Sequence, residues 1–194
     1  MLPEDEDARL MDLVARGDKA AFAWLFDRYQ ASMVRFAWRF VGNQGRAEEL
    51  AQEIFLKLYR NAKSYRPTAK FKTFLFRVAT NHCLNEVRRG DYKVMEPQNE
   101  EQRDTNEAVG QRPDDALEGK QLELAVGKAL HGMSERERAA FSMCRFEGMA
   151  YREIAEALDA SEAAVKSLIH RATLQVVKQI DLLRAGLAAT GSQA

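Results

Sequence analysis

The sequence predicts an all-α protein made of two small helical domains joined by a flexible acidic linker. The 194 residues include only 4 prolines, and 46% are apolar and 30% charged, as in soluble globular proteins. No alternating run rich in Val, Ile and Thr suggests a strand. Apolar residues instead recur at three- and four-residue spacing over most of the chain. We expect the domains at residues 8–93 and 116–185, with the linker at 94–115.

The first domain is predicted to contain four helices. Residues 8–42 carry two helical patterns, the first reaching Tyr29 and the second starting at Met33, and a Gly-rich turn closes them. Apolar residues at i, i+4 and i+8 predict a third helix over 47–62. A short connection then leads to a fourth helix over 71–89.

The fourth helix mixes aromatic, cationic and amide side chains in a way that folding alone does not require. An apolar stripe at Leu75, Val78, Ala79, Cys83 and Val87 leaves cations and amides on the opposite face. Cations can hold phosphates and amides can hydrogen-bond to base edges. The rings of this region can stack on unpaired bases where they are exposed, and the alternative is that they are core residues. The face residues are Arg77, Asn81, Asn85 and Arg88, and the rings are Tyr65, Phe71, Phe74 and Phe76.

The net charge of zero, from 29 cations and 29 anions, hides a strong separation along the chain. Residues 57–93 hold 10 positive and 2 negative side chains, a net charge of +8, whereas residues 1–56 sum to −3 and residues 94–116 to −5. A local basic block steers a polyanion even when the whole chain is neutral. The fourth helix lies in this block.

The segment 94–115 is predicted to be a linker because its apolar pattern stops and acidic, amide and Pro residues dominate. A helix over 116–130 follows it. Ser134 and Glu137 then form the pattern of a capping box, which predicts that a new helix starts there. The last residues, 185–194, carry no charge or periodicity and are expected to be frayed.

Residues 151–158, a three-residue turn and a longer helix from Glu162 have the spacing of a helix-turn-helix. Ser161 is the expected N-cap of the longer helix. In such a motif the second helix enters the major groove of duplex DNA, and its first turns meet the base edges. The alternative is a pair of helices that only pack. The predicted DNA-facing residues are Ser161, Ala163, Lys166, Ser167, His170 and Arg171.

Several classes of protein are not indicated by the sequence. No run approaches the length of a membrane span, and the acidic N-terminal residues are unlike a secretory signal, so we expect a cytoplasmic protein without membrane insertion. Two cysteines and three histidines share no ligand spacing, and there is no phosphate loop. We therefore expect no metal, no cofactor and no catalytic residues, which leaves little support for an RNA-processing or deaminase-like enzyme.

With both domains described, the chain resembles the bacterial extracytoplasmic-function (group 4) sigma factors of the sigma-70 family over about residues 10–183. The blocks 47–60, 71–89 and 151–171 carry this resemblance. It implies that the first block binds the β′ clamp helices of core RNA polymerase, that the second reads and melts the −10 element, and that the third reads the −35 element. The implied polymerase-binding residues are Glu48, Glu49, Gln52 and Glu53, and the implied −10 residues are Lys72, Arg77, Asn81, Asn85, Arg88 and Arg89.

By the same resemblance, Asn81 grips a base flipped from the nontemplate strand, and the acidic linker imitates the charge of RNA in the polymerase. The expected partners are core polymerase, including its β flap, promoter DNA and an anti-sigma factor. Departures from the family pattern include Phe74 in place of a frequent Trp, Asn85 in place of a common Asp, and Leu168 and Thr173 in place of frequent Arg residues. The alternative function is a conventional helix-turn-helix regulator that binds duplex DNA without polymerase.

Overall fold

The computed structural model describes residues 5–89 and 113–191, with side chains over 5–89 and 119–185. The predicted all-α class is confirmed, since the described residues form α-helices and one short 3₁₀ turn. The predicted linker falls outside the described residues up to position 112. The helices are α1 (Glu6–Ala15), α2 (Lys19–Val41), α3 (Gln44–Arg60), α4 (Phe71–Arg88), α5 (Pro113–Gly132), α6 (Glu135–Arg145), α7 (Tyr151–Leu158) and α8 (Glu162–Gly191), and the 3₁₀ turn is Ala62–Ser64.

The break between the first two helices lies at a different position from the predicted one. The expected break between Tyr29 and Met33 is wrong, because α2 runs without interruption from Lys19 to Val41. The chain turns at Gly17, whose φ of +96° is accessible to glycine at low cost. Asp18 then caps α2 by accepting hydrogen bonds from two amides of its first turn, at 2.8 and 3.0 Å. Local caps therefore override the apolar pattern.

The helices α1 to α4 pack around an aromatic core. Phe36 contacts Phe40 and Phe76 at ring-centroid distances of 5.2 Å, and all three side chains are fully buried. Burial of such rings supplies much of the hydrophobic stabilisation of a small domain. In α4, Leu75, Ala79 and Cys83 are buried as predicted, whereas the side chains of Val78 and Val87 are only partly buried.

The second half of the chain follows its sequence signals closely. The predicted capping box is confirmed at the start of α6, where Ser134 N donates to Glu137 Oε2 at 3.0 Å and Glu137 N donates to Ser134 Oγ at 3.4 Å. The predicted helix over 151–158 coincides with α7. The helix bounds differ for α5, which spans Pro113–Gly132 rather than 116–130, and for α8, which continues to Gly191 through residues expected to be frayed. Residues 192–194 lie outside the described part.

The first half of the chain, α1 to α4, contacts the second half, α5 to α8. The buried apolar cluster of α1 to α4 continues into α6, α7 and α8 through residues such as Met143, Met149 and Ile154. Arg138 donates to the carbonyl of Leu130 at the end of α5 and to that of Phe40 in α2, at 2.8 and 3.3 Å. No helix in the described ranges has the length and apolar character needed to cross a membrane.

Candidate nucleic-acid interface

One face of α4 presents a row of exposed polar side chains. Their spacing of three or four residues places them on the same side of the helix. Arg77 lies at the start of the row, with its guanidinium carbon 5.5 Å from the centre of the Phe74 ring. Lys72 differs from the others because it is half-buried and its Nζ donates to the carbonyl of Glu147 at 2.6 Å. The exposed predicted residues are Arg77, Asn81, Asn85, Arg88 and Arg89.

The predicted aromatic stacking surface is largely wrong. Phe71 and Phe76 have no exposed surface and Tyr65 has 8%, because these rings fill the core under α4. Phe74 is partly buried, with its ring centroid 5.0 Å from that of Tyr65. Phe74 is therefore the one ring of the four predicted that keeps more than a marginal exposed surface.

The buried side of α4 is unexpectedly polar. Glu86, only 7% exposed, accepts hydrogen bonds from Arg46 Nε and Nη2 of α3 at 2.9 and 2.6 Å. His82 lies one turn earlier, with its Nε2 2.6 Å from Glu53 Oε2 and its Nδ1 2.9 Å from Lys57 Nζ. A buried charge persists when it is paired and hydrogen-bonded. This network fixes the rotation of α4 against α3, and with it the direction of the exposed row.

The network also changes acid–base behaviour. Burial alone would lower the pKa of Arg46, but its hydrogen bonds with Glu49, Glu86 and Glu53 raise it. Burial would likewise raise the pKa of Glu53, but hydrogen bonds from His82 and Arg46 lower it. Glu49 and Glu53 both pair with Arg46 at the surface, at 2.8 and 3.0 Å from its Nη1.

The four predicted polymerase-binding residues on α3 therefore separate into two groups. Glu49 and Glu53 pair with Arg46, although Glu49 is exposed, whereas Glu48 and Gln52 are exposed and make no ion pair with Arg46. Gln52 also borders an apolar cleft of about 370 Å³ between α2 and α3. No pattern in the sequence predicts this cleft. The cleft is lined by Lys19, Phe22, Phe26, Gln52, Phe55, Leu56 and Tyr59.

The helix-turn-helix is formed by α7 and α8 as predicted. Ile154, Ala155 and Leu158 of α7 are buried, and Asp159 makes the turn with a left-handed φ of 48°, which Asp tolerates better than most residues. Ser161 Oγ accepts from Ala164 N at 3.2 Å and so caps α8. All six predicted DNA-facing residues, Ser161, Ala163, Lys166, Ser167, His170 and Arg171, are exposed on the first turns of α8.

Arg171 is held by a residue of another helix. Its Nε lies 2.6 Å from Oε1 of Glu137, the same carboxylate that completes the capping box of α6. Burial would raise the pKa of Glu137, but the hydrogen bonds from Arg171 and Ser134 lower it. A charge-assisted bond of this kind orients a guanidinium while leaving other donors for a ligand.

Sequence reasoning missed three residues that organise these surfaces. Arg46 stands in the first turn of α3, where the helix dipole disfavours a cation, and this was a usable signal that it has carboxylate partners. Asp5 Oδ2 accepts from Phe71 N at 2.6 Å and caps α4 from 66 positions away. Glu147 packs against the first half. Neither Asp5 nor Glu147 has a local sequence signal for its partner.

Within residues 5–89 and 113–191, no group of three His, Cys, Asp or Glu side chains is arranged to hold a metal ion. Cys83 is buried, which raises the pKa of its thiol to about 12, while Cys144 is partly exposed. Cys144 nevertheless packs against the hydrophobic core.

Comparison with known proteins matches both halves of the chain. The family model described as Sigma-70 region 2 covers residues 25–92, and the model described as Sigma-70, region 4 covers residues 123–175. The first match contains α3 and α4, and the second contains the helix-turn-helix. Both candidate surfaces therefore fall inside matched regions.

Similar proteins span nearly the whole chain. The RNA polymerase sigma-H factor of Pseudomonas aeruginosa is 30% identical over 94% of this chain and 98% of its own length. The ECF RNA polymerase sigma-E factor of Haemophilus influenzae is 30% identical over 91% of this chain and 96% of its own. The solved structure of the sigma factor RpoE with the anti-sigma factor NepR, from Bartonella quintana, has a TM-score of 0.63, with 19% identity over 82% of this chain and 96% of that one. At that identity the structure shows a shared fold.

Proposed function

This chain belongs to the extracytoplasmic-function RNA polymerase sigma factors, and we propose that it joins core polymerase through α3, reads the −10 element with α4 and reads the −35 element with α8. It is an alternative sigma factor, so the alternative of a conventional helix-turn-helix regulator is set aside. The polymerase carries out the chemistry, and this chain supplies binding and promoter selection in the cytoplasm.

The docking surface we propose combines the exposed part of α3 with the cleft beside it. Glu48 and Gln52 are available for polar contacts, and the cleft next to Gln52 offers an apolar pocket for a side chain of the β′ clamp helices. Apolar pockets with a polar rim are the usual centres of protein interfaces. Glu49 and Glu53 contribute mainly by holding Arg46, since both are already paired with it.

The −10 contact we propose is made by the exposed row of α4. Asn81 is placed centrally in this row, where its amide can pair with the edge of an unstacked base, while Arg77, Arg88 and Arg89 meet the phosphates. Capture of a base offsets the cost of unpairing, which is a few kcal/mol. The polar network below α4 supports this assignment because it fixes which face of the helix is exposed.

The −35 contact we propose is made by the start of α8 in the major groove. Lys166, His170 and Arg171 are exposed cationic or polar side chains there, with Ser167 between them and Ser161 before them at the N-cap. Leu168 and Thr173, which depart from the family pattern, are buried and half-buried, so neither position offers the expected Arg to DNA. Arg171 therefore carries more of the contact than it would beside further arginines.

We further propose an anti-sigma factor as the inhibitory partner, and binding of the polymerase β flap by the second half. The structural relative from Bartonella quintana was solved with such an inhibitor. Exposed apolar residues on the second half, including Leu174, Val177 and Leu182, supply a surface for protein partners.

The observation that carries the proposal is the presence, in one chain, of two exposed DNA-facing rows on matched sigma regions. Its test is in vitro transcription of a randomised promoter library by core polymerase with this chain. We expect selected transcripts to share two upstream elements. Core polymerase alone and the variant Gln30→Ala, which alters an exposed amide of α2, are the controls. Transcripts without any shared element would contradict the proposal.

A further inference from the structure

The carboxylate of Asp5 caps two helices at once. Its Oδ1 accepts hydrogen bonds from the amides of Asp7 and Ala8 in the first turn of α1, at 3.1 and 3.3 Å. Its Oδ2 accepts from the amide of Phe71, the first residue of α4, at 2.6 Å. The first turn of a helix leaves amides without intrahelical partners and carries partial positive charge. One carboxylate therefore satisfies donors from two helix ends that lie far apart in the sequence.

The start of α4 has no capping side chain of its own. Lys70, at the N-cap position, makes no side-chain hydrogen bond to the helix, and the first turn contains no acidic residue. Lys70 and Lys72 instead place two ammonium groups near the positive end of the helix dipole. By contrast, α2 and α3 are capped locally, by Asp18 and Asn43. The cap of α4 therefore comes from Asp5 rather than from its own sequence.

The capped end of α4 also carries the rings that border the proposed −10 surface. The ring centroid of Phe71 lies 6.3 Å from that of Tyr65, which in turn lies 5.0 Å from that of Phe74. Arg77, the first cation of the exposed row, lies over the Phe74 ring. Burial, followed by the negative charge of Asp5, raises the pKa of Tyr65 to about 12. A chain of contacts thus leads from Asp5, through Phe71 and Tyr65, to the start of the exposed row.

The two ends of α4 are held by different polar contacts. Near its C-terminal end, the pair of Glu86 with Arg46 fixes the rotation of the helix against α3. At its N-terminal end, Asp5 fixes the first turn through a short, charge-assisted hydrogen bond. A site that grips an unstacked base must hold its side chains within a fraction of an ångström. Displacement of the first turn would move the exposed row at its Arg77 end.

We propose that Asp5 is a positioning residue for recognition of the −10 element, which acts by fixing the first turn of α4 while it anchors α1 to the same point. This inference rests on the proposed function of α4. Asp5 acts through the helix rather than by touching DNA, because both of its oxygens already accept from helix amides. Its loss should therefore alter sequence preference at the −10 element and leave the −35 helix, which lies in the other half of the chain, unaffected.

The first test measures hydrogen exchange at the start of α4 in the free chain, by mass spectrometry. Asp5→Ala should speed exchange across residues 71–76 at least about threefold, because the amide of Phe71 loses its acceptor and the first turn frays. The matched control is Asp18→Ala, which removes a carboxylate that caps α2 with hydrogen bonds of 2.8 and 3.0 Å and should leave exchange in α4 unchanged. Equal exchange in Asp5→Ala and in the parent protein would overturn the proposal and leave the proposed function intact.

The second test compares transcription by the holoenzyme from a promoter with the selected −10 element and from one with a substituted −10 element. Asp5→Ala should lower the ratio of the two about fivefold, the factor expected for the loss of one helix cap, and should leave the corresponding −35 ratio unchanged. Asp18→Ala should leave both ratios at the parent values, which separates positioning from a general loss of stability. Equal −10 ratios in the two variants, or an equal fall in the −35 ratio, would contradict the proposal. A parent protein without any −10 preference would instead contradict the proposed function.

A rescue variant gives α4 a cap from its own sequence. The backbone angles at Lys70, φ −58° and ψ 144°, nearly equal those at Ser134, φ −59° and ψ 153°, where a serine caps α6. Lys70→Ser added to Asp5→Ala should therefore restore the hydrogen exchange and the −10 ratio to within about twofold of Lys70→Ser alone. Failure of this rescue would show that Asp5 does not act through the first turn of α4, and would overturn the proposal.

Discussion

The two helices proposed to read DNA resemble each other on their exposed faces and differ underneath. Both α4 and α8 present cationic and polar side chains to solvent. The buried side of α8 is apolar, formed by Val165, Leu168, Ile169 and Ala172, whereas that of α4 includes Glu86 and His82, linked to α3 by Arg46 and Glu53. The difference shows that the orientation of α4 depends on polar pairs, and that of α8 mainly on packing.

This difference has a functional meaning. Because Arg46 and Glu53 lie on α3, the proposed polymerase-docking helix and the −10 helix share one network. The −35 helix is instead linked to α6 by the ion pair between Arg171 and Glu137, within its own half. Changes in the α3 residues of this network, Arg46 and Glu53, are therefore expected to alter −10 recognition more than −35 recognition.

The largest effect is expected from Glu86→Ala, which leaves Arg46 without its most buried carboxylate. Loss of one partner from a largely buried pair should reduce the free energy of unfolding by about 2 to 3 kcal/mol. The measurement is urea denaturation at neutral pH. Glu49→Ala, which removes an exposed partner of the same Arg46, should cost under about 1 kcal/mol. Equal losses in the two variants would show that the buried pair of Arg46 with Glu86 stabilises no more than the exposed pair with Glu49. The orientation of α4 would then not depend on its buried polar pairs.

The next effect concerns docking on core polymerase. Loss of docking should weaken recognition of the −10 element by α4 and of the −35 element by α8 equally. Leu56→Glu places a carboxylate in the apolar cleft beside Gln52, and binding to core polymerase should weaken at least about tenfold because that charge loses water on docking. Leu13→Glu changes an equally exposed leucine on α1 and serves as the control. Co-purification and titration with labelled core enzyme measure the affinity. Retained affinity in Leu56→Glu would exclude the cleft from the interface.

A smaller effect is expected where Glu137 positions Arg171. Arg171→Ala should weaken binding of a −35 duplex by the holoenzyme, and Glu137→Gln should weaken it by about fivefold because Arg171 loses its orientation. When both changes are combined, the loss should be close to that of Arg171→Ala alone. Additive losses would show that Glu137 acts through the stability of α6 instead. Ser134→Ala, which removes the cap and keeps the ion pair, separates these two roles.

The smallest effect is a dependence of stability on acid. The pKa of Glu53 is lower in the folded protein than its ordinary value of 4.5, so its contribution is present at neutral pH and is lost as the pH falls below about 4.5. Glu53→Gln should therefore be less stable than the parent at pH 7, by under about 1 kcal/mol because the side chain is partly exposed. The difference should shrink near pH 3.5. Denaturation curves at the two pH values provide the test, and a constant difference would contradict it.

Much of this arrangement could be predicted from local patterns. The helix-turn-helix was predictable because its inward residues, its capping serine Ser161 and its turn are all set within a few residues of one another. The exposed row of α4 from Arg77 to Arg88 followed from helical periodicity in the same way, and Arg89 was added by the family resemblance. Family resemblance then indicated which surface meets which partner.

The remainder depended on contacts between distant positions. Tyr65, Phe71 and Phe76 were candidates for stacking because composition does not distinguish a core ring from an exposed one. The burial of His82 and Glu86 has no local sequence signal, because it depends on Arg46 and Glu53 of α3. The long α2 was divided wrongly because the cap at Asp18, rather than the apolar pattern, decides where the chain turns.

The most direct test of the central claim is the promoter-library experiment repeated with Asn81→Ala and with Arg171→Ala. Each helix is assigned one element, so Asn81→Ala should relax the sequence preference of the −10 element by about tenfold and leave the −35 element unchanged. Arg171→Ala should weaken the −35 element alone. The assignment would be contradicted if either variant changed both elements equally, or if Asn81→Ala lowered transcription without altering the selected −10 sequence.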